Sequence, residues 1–373
     1  MARAHARFAF ALATPTDDPD IRRLLRDTAF PGAVSLSLER EPDSSIAARV
    51  EGAVHDTIVA RDRASNALAA AASRCVRTRF VNGVEARVGY LGQLRIAAPF
   101  SRARGLLEGG FEFCRALHDR GDARIYLASV VQENAGALRL LERGIAGSPT
   151  FRAVDRLVTL AIPVRRLPAF RAPEVRIVGG ADCDPAAVIQ CLRRTCRQHQ
   201  FAPCWTIDDL VAHRLPGLSR SDFFVAIEDG EVAGCVALWD QRAFKQARVR
   251  GYSASLRRSR WAINAAARLM GTVRLPPVGS RLEFAYLSHL AADRADPAVL
   301  LSLVHAACAR ANEHGLQYVA VGLSARSADL DAIRRTFRSR AYVSVLYAGA
   351  WPDGAEMLDS LDGRPCNPEL ALL

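Results

Sequence analysis

The sequence has no long apolar run, no C-x-x-C pair of cysteines and only one lysine. No apolar run reaches the roughly 20 residues that a membrane-spanning helix requires. The nine cysteines are odd in number and include no C-x-x-C pair, which argues against a disulfide framework and for a reducing compartment. Lys245 is the sole lysine, so the basic residues are almost all arginine. We therefore expect a soluble, cytoplasmic protein with no membrane partner.

The N-terminus has some features of a secretory signal peptide. Arg3 and Arg7 precede the apolar residues 8–13, but that stretch is shorter than the roughly 7 residues that such a segment needs at minimum. A first strand followed by a helix led by Asp17 and Asp18 explains the pattern better.

A net charge of +11 raises the question of nucleic acid. The basic residues are spread along the chain, and only the run 248–260, with Tyr252 and Trp261, interleaves them with aromatic residues. Distributed positive charge usually belongs to a solvated surface. The sequence thus argues against nucleic acid, although a positive field attracts an anionic cofactor or substrate. A homodimer is left open.

One cluster of residue types that bind metals occurs in the sequence, at Cys183, Cys191, Cys196, His199 and Cys204. Its irregular gaps match no usual zinc spacing. Buried thiols are the simpler interpretation, and we expect no metal.

The length of 373 residues favours two domains. Apolar periodicity predicts strands alternating with helices, and the Asn82-Gly83 pair predicts a tight hairpin. Three prolines within residues 162–175 indicate a linker. The same order of elements begins again beyond it, which predicts a tandem α/β fold with an N-terminal domain at 1–164 and a C-terminal domain at 165–373.

The most informative stretch is residues 88–107, VGYLGQLRIAAPFSRARGLL, in which an apolar strand leads through a short loop into a helix. The first turn of a helix offers unpaired backbone N–H groups and the positive end of the dipole, which suit a pyrophosphate. Gly105 lets the backbone come close, and Arg102 and Arg104 add positive charge. The alternative is an ordinary helix start with two solvated arginines.

With the strand at 124–130 and the segment at 134–144, this stretch resembles the core of the GNAT superfamily of acyl-CoA-dependent N-acyltransferases. Arg102 and Gly105 fall in register with the family loop R/Q-x-x-G-x-G/A, while Leu107 replaces its last small residue. The resemblance implies two tandem GNAT-like domains, each a mixed central sheet flanked by helices, with acetyl-CoA as co-substrate of the first. Pantetheine would insert between two splayed strands. The implied cofactor-binding residues are Leu94, Arg95, Ile96, Arg102, Ala103, Arg104, Gly105, Leu106, Leu107 and Asn134.

The resemblance leaves the catalytic groups incomplete. Family members often protonate the leaving thiolate with a tyrosine, and this chain has Leu141 there. Tyr90 is a candidate proton donor and Gln93 a candidate for orienting a water, against a structural role for each. Asn134 either holds the pantetheine arm or caps its own helix. The carboxylate of Leu373 is a further candidate base.

In the second half, Asp293 and Asp296 stand where a pyrophosphate would need positive charge, which predicts that CoA is repelled there. This half would then form the acceptor cleft. Its candidate contacts are Glu283, Tyr286 and His289, with a purely structural histidine as the alternative.

These observations predict an acetyl-CoA-dependent N-acetyltransferase that acts on a small-molecule or peptide amine by direct attack on the thioester. The first alternative is a non-catalytic acyl-CoA-binding or scaffolding protein. A second is an aminoacyl-transferring relative that acts on cell-envelope precursors.

Overall fold

The computed structural model describes residues 7–170, 175–211, 214–270, 272–292 and 297–373. The elements of the first half are β1 Phe8–Leu12, α1 Asp18–Asp27, β2 Val34–Glu39, α2 Ser44–Glu51, β3 Val54–Asp62, β4 Leu68–Val81, β5 Val84–Ile96, α3 Leu106–His118, β6 Ile125–Val131, α4 Ala135–Arg143 and β7 Thr150–Pro163. Those of the second half are β8 Arg176–Gly179, α5 Pro185–Cys196, α6 Ile207–Val211, β9 Phe223–Glu228, β10 Glu231–Trp239, β11 Gln246–Tyr252, α7 Ala254–Leu269, β12 Phe284–Ala292, α8 Pro297–Glu313, β13 Tyr318–Ser324, α9 Ala328–Thr336, β14 Arg340–Ala350 and α10 Ala355–Asp359.

Twelve of the described strands form one mixed sheet in the order β1-β3-β4-β5-β6-β14-β7-β13-β12-β10-β9-β8, and β2 pairs with β11 separately. At the centre, β14 lies between β6 and β7, while β7 lies between β14 and β13. Each half therefore inserts its last strand into the sheet of the other. The mixed sheet flanked by helices agrees with the predicted fold class, whereas the domain boundary after residue 164 stays a prediction.

Two turns and two parallel strand pairs repeat between the halves. The Asn82-Gly83 hairpin joins β4 to β5 with φ of 52° and 79°, and Asp229-Gly230 joins β9 to β10 with φ of 51° and 83°. Because these positive φ angles match the twist of the strands, both pairs form tight turns. The predicted hairpin at residues 81–84 is confirmed.

The parallel pairs are β5 with β6 and β12 with β13, and each extends over three residues. Residues 88–90 pair with 125–127, and residues 284–286 pair with 318–320. Beyond these residues the strands of each pair separate, so the sheet opens once in each half. None of the described helices is long and apolar enough to cross a bilayer.

The cysteine cluster at 183–204 belongs to the apolar interior of the second half. Cys191, Cys196 and Cys204 are buried beside Trp205 and Trp239. Burial raises the pKa of the Cys191 thiol to about 11 and that of Cys204 to about 12. These thiols therefore behave as small apolar side chains.

Candidate active site

The opening between β5 and β6 leads into a cavity of about 670 Å³. Its lining comes from both halves of the chain, with β5, β6 and α3 on one side and β12, β13 and β14 on the other. The volume lies within the roughly 300–1,000 Å³ of small-molecule sites, which occur between packed units of structure. Since β5 and β6 pair only over residues 88–90 and 125–127, their facing backbone edges beyond that point are open to an extended ligand with amide groups.

A bulge in β5 shapes this opening. Gln93 has a φ of 54°, and the register between β4 and β5 shifts between Ala71 and Ser73. A bulge re-aims the residues around it, here beside the cavity. Gln93 and Tyr90, the two candidate catalytic residues, both line the cavity.

Tyr90 sits at the vertex of the opening. Its ring lies over Gly92, where an added Cβ would come within 2.6 Å of the Tyr90 Cε1 atom. The backbone N–H of Ser129 on β6 donates a hydrogen bond to the Tyr90 hydroxyl oxygen. Burial raises the pKa of Tyr90 above its usual range, so the phenol keeps its proton and points across the gap between the strands.

The start of α3 has the features of a phosphate site. Gly105 immediately precedes the helix with a φ of 78°, and no described side chain caps the helix. The first-turn N–H groups are therefore available to an anion. Arg102 and Arg104 are exposed and form no ion pair with a described carboxylate. Ala103 precedes Arg104 in this loop, and Leu106 and Leu107, which follow Gly105, line the cavity.

Arg95 and Ile96 end the strand that precedes the loop. The Arg95 guanidinium lies 4.3 Å from the centroid of the Phe30 ring and donates to the Leu94 carbonyl oxygen. Burial lowers the pKa of Arg95 to about 10. Arg95 and Leu94 line the cavity, whereas Ile96 packs in the apolar cluster beneath the loop.

Asn134 caps α4 and also lines the cavity. Its side-chain oxygen accepts a hydrogen bond of 3.2 Å from the Ala137 N–H, which leaves the amide NH₂ free to donate. Both roles considered from the sequence are thus compatible with its position. Leu141, in place of the family tyrosine, is part of the cavity wall.

The wall supplied by β1, β3, β4 and α3 is almost entirely apolar. It contains two polar side chains, Ser73 and Cys114, and is otherwise formed by Phe10, Ile58, Ala60, Ala70, Ala71, Ala72, Leu106, Leu107, Gly110 and Phe111. The Ser73 hydroxyl is buried and has no hydrogen-bond partner among the described residues. A buried hydroxyl without a partner costs about 1–3 kcal/mol, so Ser73 is a candidate contact for a ligand or a water.

The equivalent opening in the second half is filled by the chain itself. The His289 N–H donates to a Glu369 carboxylate oxygen at 2.9 Å. Leu370 lies against Gly322 on β13, where an added Cβ would come within 2.9 Å of the Leu370 Cβ. The short helical turn at residues 370–372 therefore occupies the gap between β12 and β13.

Of the three predicted acceptor contacts, only one lies in the described lining of the cavity. Tyr286 lines the cavity. Glu283 is instead held by Arg242 and, at 3.1 Å, by Arg281, while His289 is buried against Trp205 at 3.8 Å between ring centroids. Burial lowers the pKa of His289 to about 3, so its ring is neutral, and His289 is not among the described residues that line the cavity, which favours the structural alternative. Asp293 and Asp296 lie outside the described residues.

No aspartate, glutamate, histidine or lysine side chain is present in the described lining of the cavity. Its charged side chains are Arg95, Arg274 and Arg340. Leu373 contributes to the lining, and the Nζ atom of Lys245 lies 3.1 Å from the Leu373 oxygen. Burial lowers the pKa of Lys245 to about 8.

Most of the polar residues on the second-half wall are not among the site residues predicted from the sequence. Tyr318, Arg340, Tyr342 and Ser344 face the cavity with Tyr286. The alternation of polar residues at 340, 342 and 344 was the available signal, because every second residue of a strand shares one face. Only the pairing of β14 beside β7 shows that this face borders the cavity.

The sequence matches no protein-family model, and no curated protein is significantly similar to it. Solved structures are similar in fold. A GCN5-related N-acetyltransferase from Sphaerobacter thermophilus matches with a TM-score of 0.55 at 15% identity, over 92% of this chain and 96% of that one. The Saccharomyces cerevisiae N-myristoyltransferase with bound myristoyl-CoA matches with a TM-score of 0.60 at 12% identity, over 97% and 85%. The same enzyme with myristoyl-CoA and inhibitors gives 0.59 at 14%, over 99% and 87%.

The chain therefore has the GNAT fold, which confirms the resemblance found in the sequence. The likeness to the N-myristoyltransferase extends over both halves of this chain, in line with the predicted tandem architecture.

Proposed function

We propose that this protein is an acyl-CoA-dependent N-acyltransferase with one cofactor site, in the first half. The observation that carries the proposal is the open edge between β5 and β6, which meets the uncapped start of α3 at one end and the cavity at the other. The amides of pantetheine fit the open backbone edges, and a pyrophosphate fits the helix start with Arg102 and Arg104.

The reaction is direct transfer. The amine nitrogen attacks the thioester carbonyl carbon, the C–N bond forms, the C–S bond breaks, and the thiolate of CoA takes up a proton while the attacking nitrogen loses one. Backbone N–H groups near Leu94 would stabilise the oxyanion. Tyr90 is the candidate proton donor, because its protonated hydroxyl lies at the vertex of the opening. Gln93, at the bulge, is the candidate for orienting a water on the amine.

The acyl group expected from the sequence is acetyl. The apolar wall formed by β1, β3, β4 and α3 offers room for a longer chain, and the N-myristoyltransferase neighbour carries myristoyl-CoA. We therefore extend the proposal to acyl-CoA of longer chains. The acceptor is a small-molecule or peptide amine that enters from the second half. The cytoplasmic location stays an expectation that rests on nine unpaired cysteines.

The test follows the release of free CoA with a thiol reagent. Acetyl-, octanoyl- and tetradecanoyl-CoA are each offered with a panel of amines, and thermal stabilisation by each thioester is measured in parallel. Turnover that requires both substrates supports the proposal. Stabilisation by an acyl-CoA without turnover on any amine favours the alternative of a binding protein, and no stabilisation by any acyl-CoA rejects both.

Two observations favour the non-catalytic alternative. The described lining offers no aspartate, glutamate or histidine as base, and Leu141 replaces the family's tyrosine. A difference between the wild-type chain and Tyr90→Phe in turnover would decide against it.

A further inference from the structure

The acceptor side of the cavity carries two arginines, and no acidic side chain is present in the described lining to pair with them. Arg274, which follows α7, and Arg340, at the start of β14, both line the cavity. Both side chains are exposed, which places them where the cavity opens to solvent. Neither forms an ion pair with a described carboxylate, whereas Arg61, Arg74 and Arg242 each do.

A row of small residues runs across the cavity wall from Arg340 to Tyr286. Arg340 pairs with Ala161, Ala161 with Ala320, and Ala320 with Tyr286, across four adjacent strands. Three strand spacings put Arg340 and Tyr286 about 14 Å apart along this row. Because Ala161 and Ala320 project only methyl groups into the cavity, the space above them is free for a substrate.

Tyrosines surround this row. Tyr318 lies beside Arg340, whose positive charge opposes the rise that burial causes in the pKa of Tyr318. Tyr252 lies near Tyr318, and its hydroxyl donates to the Pro276 carbonyl oxygen at 2.5 Å, two residues after Arg274. Tyr318 and Tyr252 therefore lie on the same side of the cavity as the two arginines.

We propose that the acceptor is an amine that also carries an anionic group, a carboxylate or a phosphate, bound by Arg340 and Arg274, with its apolar or aromatic body over the alanine row. This inference rests on the proposed N-acyltransferase function and names the acceptor class of that site. An arginine fork binds either oxyanion in a bidentate manner. A polycationic amine would meet repulsion and no carboxylate side chain.

The experiment compares acceptors that differ in the acid alone. At saturating acyl-CoA, kcat/KM is measured for glycine against glycinamide, phenylalanine against phenylalaninamide, and O-phosphoethanolamine against ethanolamine. Near neutral pH the less basic amino acid amides have the larger fraction of unprotonated amine, so a preference for the free acids cannot come from a greater supply of free amine. We expect the anionic member to be preferred at least tenfold, and the pairs distinguish a carboxylate from a phosphate.

Arg340→Gln and Arg274→Gln test the assignment to these residues. Each is expected to raise the KM of the anionic acceptor at least tenfold, to leave the KM of the acyl-CoA within twofold, and to bring the acid-to-amide ratio towards one. Arg340→Lys should recover part of the preference. Arg335→Gln, an exposed arginine of α9 away from the cavity lining, is the matched control and should change nothing.

The possible outcomes distinguish a different acceptor class from the absence of acyltransferase activity. Equal or better turnover of the neutral acceptors overturns the inference and leaves the proposed function standing. An increase in the KM of the acyl-CoA rather than of the acceptor also overturns it, because the arginines would then bind phosphates of CoA. No turnover with any of the amines rejects the proposed function and this inference with it.

Discussion

Gln93 and His289 occupy equivalent positions in the two halves. Each lies three residues after the tyrosine that ends a parallel strand pair, Tyr90 or Tyr286, and their φ angles are 54° and 52°. At Gln93 the gap beyond the bulge opens into the cavity. At His289 the gap holds Glu369 and the turn after it. The same backbone conformation therefore borders an open cavity in one half and an internal packing site in the other.

Substitution of Gly105 tests the phosphate site. Gly105→Trp places an indole where the phosphate would lie and strains a backbone with φ of 78°. We expect the dissociation constant of acyl-CoA to rise at least a hundredfold, measured by calorimetry. Gly121→Trp is matched, since its φ is 77° and nothing lies within 4 Å of an added Cβ. Unchanged affinity in Gly105→Trp would show that the loop does not bind the phosphates.

Substitution of Gly110 tests the length of the acyl group. Gly110 lies on α3 in the apolar wall, with the Phe10 ring 3.8 Å from an added Cβ. Gly110→Leu should lower kcat/KM for long acyl chains at least tenfold and spare acetyl-CoA, because a pocket that lacks room rejects added methylenes. Gly136→Leu on α4, with only the Asn134 side chain near it, is the control. Equal losses for all chain lengths would contradict an acyl site at this wall.

Removal of the Tyr90 hydroxyl tests proton donation. Tyr90→Phe keeps the ring over Gly92 and should lower kcat about a hundredfold while the affinity for acyl-CoA changes less than twofold. Single-turnover kinetics separate the two effects. Tyr347→Phe is the control, because Tyr347 is buried on β14 outside the cavity lining. A kcat within twofold of the wild type would assign Tyr90 a structural role.

His289 predicts a loss of stability in acid. Its pKa is lowered to about 3 by burial, whereas an unfolded histidine has one of about 6.5. Between these values the unfolded chain binds a proton that the native chain does not, so stability falls as the pH falls below about 6.5. Between pH 6.5 and 5.0 this amounts to as much as about 2 kcal/mol. His289→Phe should reduce the loss of urea stability between pH 7.5 and 5.0.

Two other groups, Ser288 and Glu369, also affect the stability that is measured at the two pH values. His289→Phe keeps the stacking on Trp205 but leaves the Ser288 hydroxyl without its ring-nitrogen partner, so a uniform cost is expected at both pH values. The raised pKa of Glu369, about 6, acts in the opposite sense, since its contribution is present below pH 4.5 and is lost as the pH rises through 6. His314→Phe, at an exposed histidine, should leave the pH dependence unchanged.

The packing of the turn at residues 370–372 against β13 requires a glycine at position 322. Gly322→Val inserts atoms against Leu370 and should displace this turn, with a loss of roughly 2 kcal/mol in the free energy of unfolding. The KM of the acceptor should rise, because Leu370 lines the cavity, while the affinity for acyl-CoA in the other half stays the same. Gly363→Val is the control, with nothing within 4 Å of its Cβ. A weaker affinity for acyl-CoA alone would contradict separate roles for the halves.

The sequence by itself determined the local elements and the first half of the site. The Asn82-Gly83 turn, the strand that leads to Gly105 and the helix that follows Asn134 are coded within a few residues, because turn preferences and apolar periodicity act locally. The GNAT resemblance followed from these parts, and the structure places Tyr90, Gln93 and Asn134 around one cavity.

Only the tertiary structure decided the second half of the site. Glu283 and His289 lie on the predicted strand, yet one is held by arginines and the other is buried against Trp205. Arg340 reaches the cavity because β14 pairs between β6 and β7, far from its neighbours in sequence. Such pairings depend on which apolar faces pack together over the whole chain. No short-range pattern in the sequence encodes them.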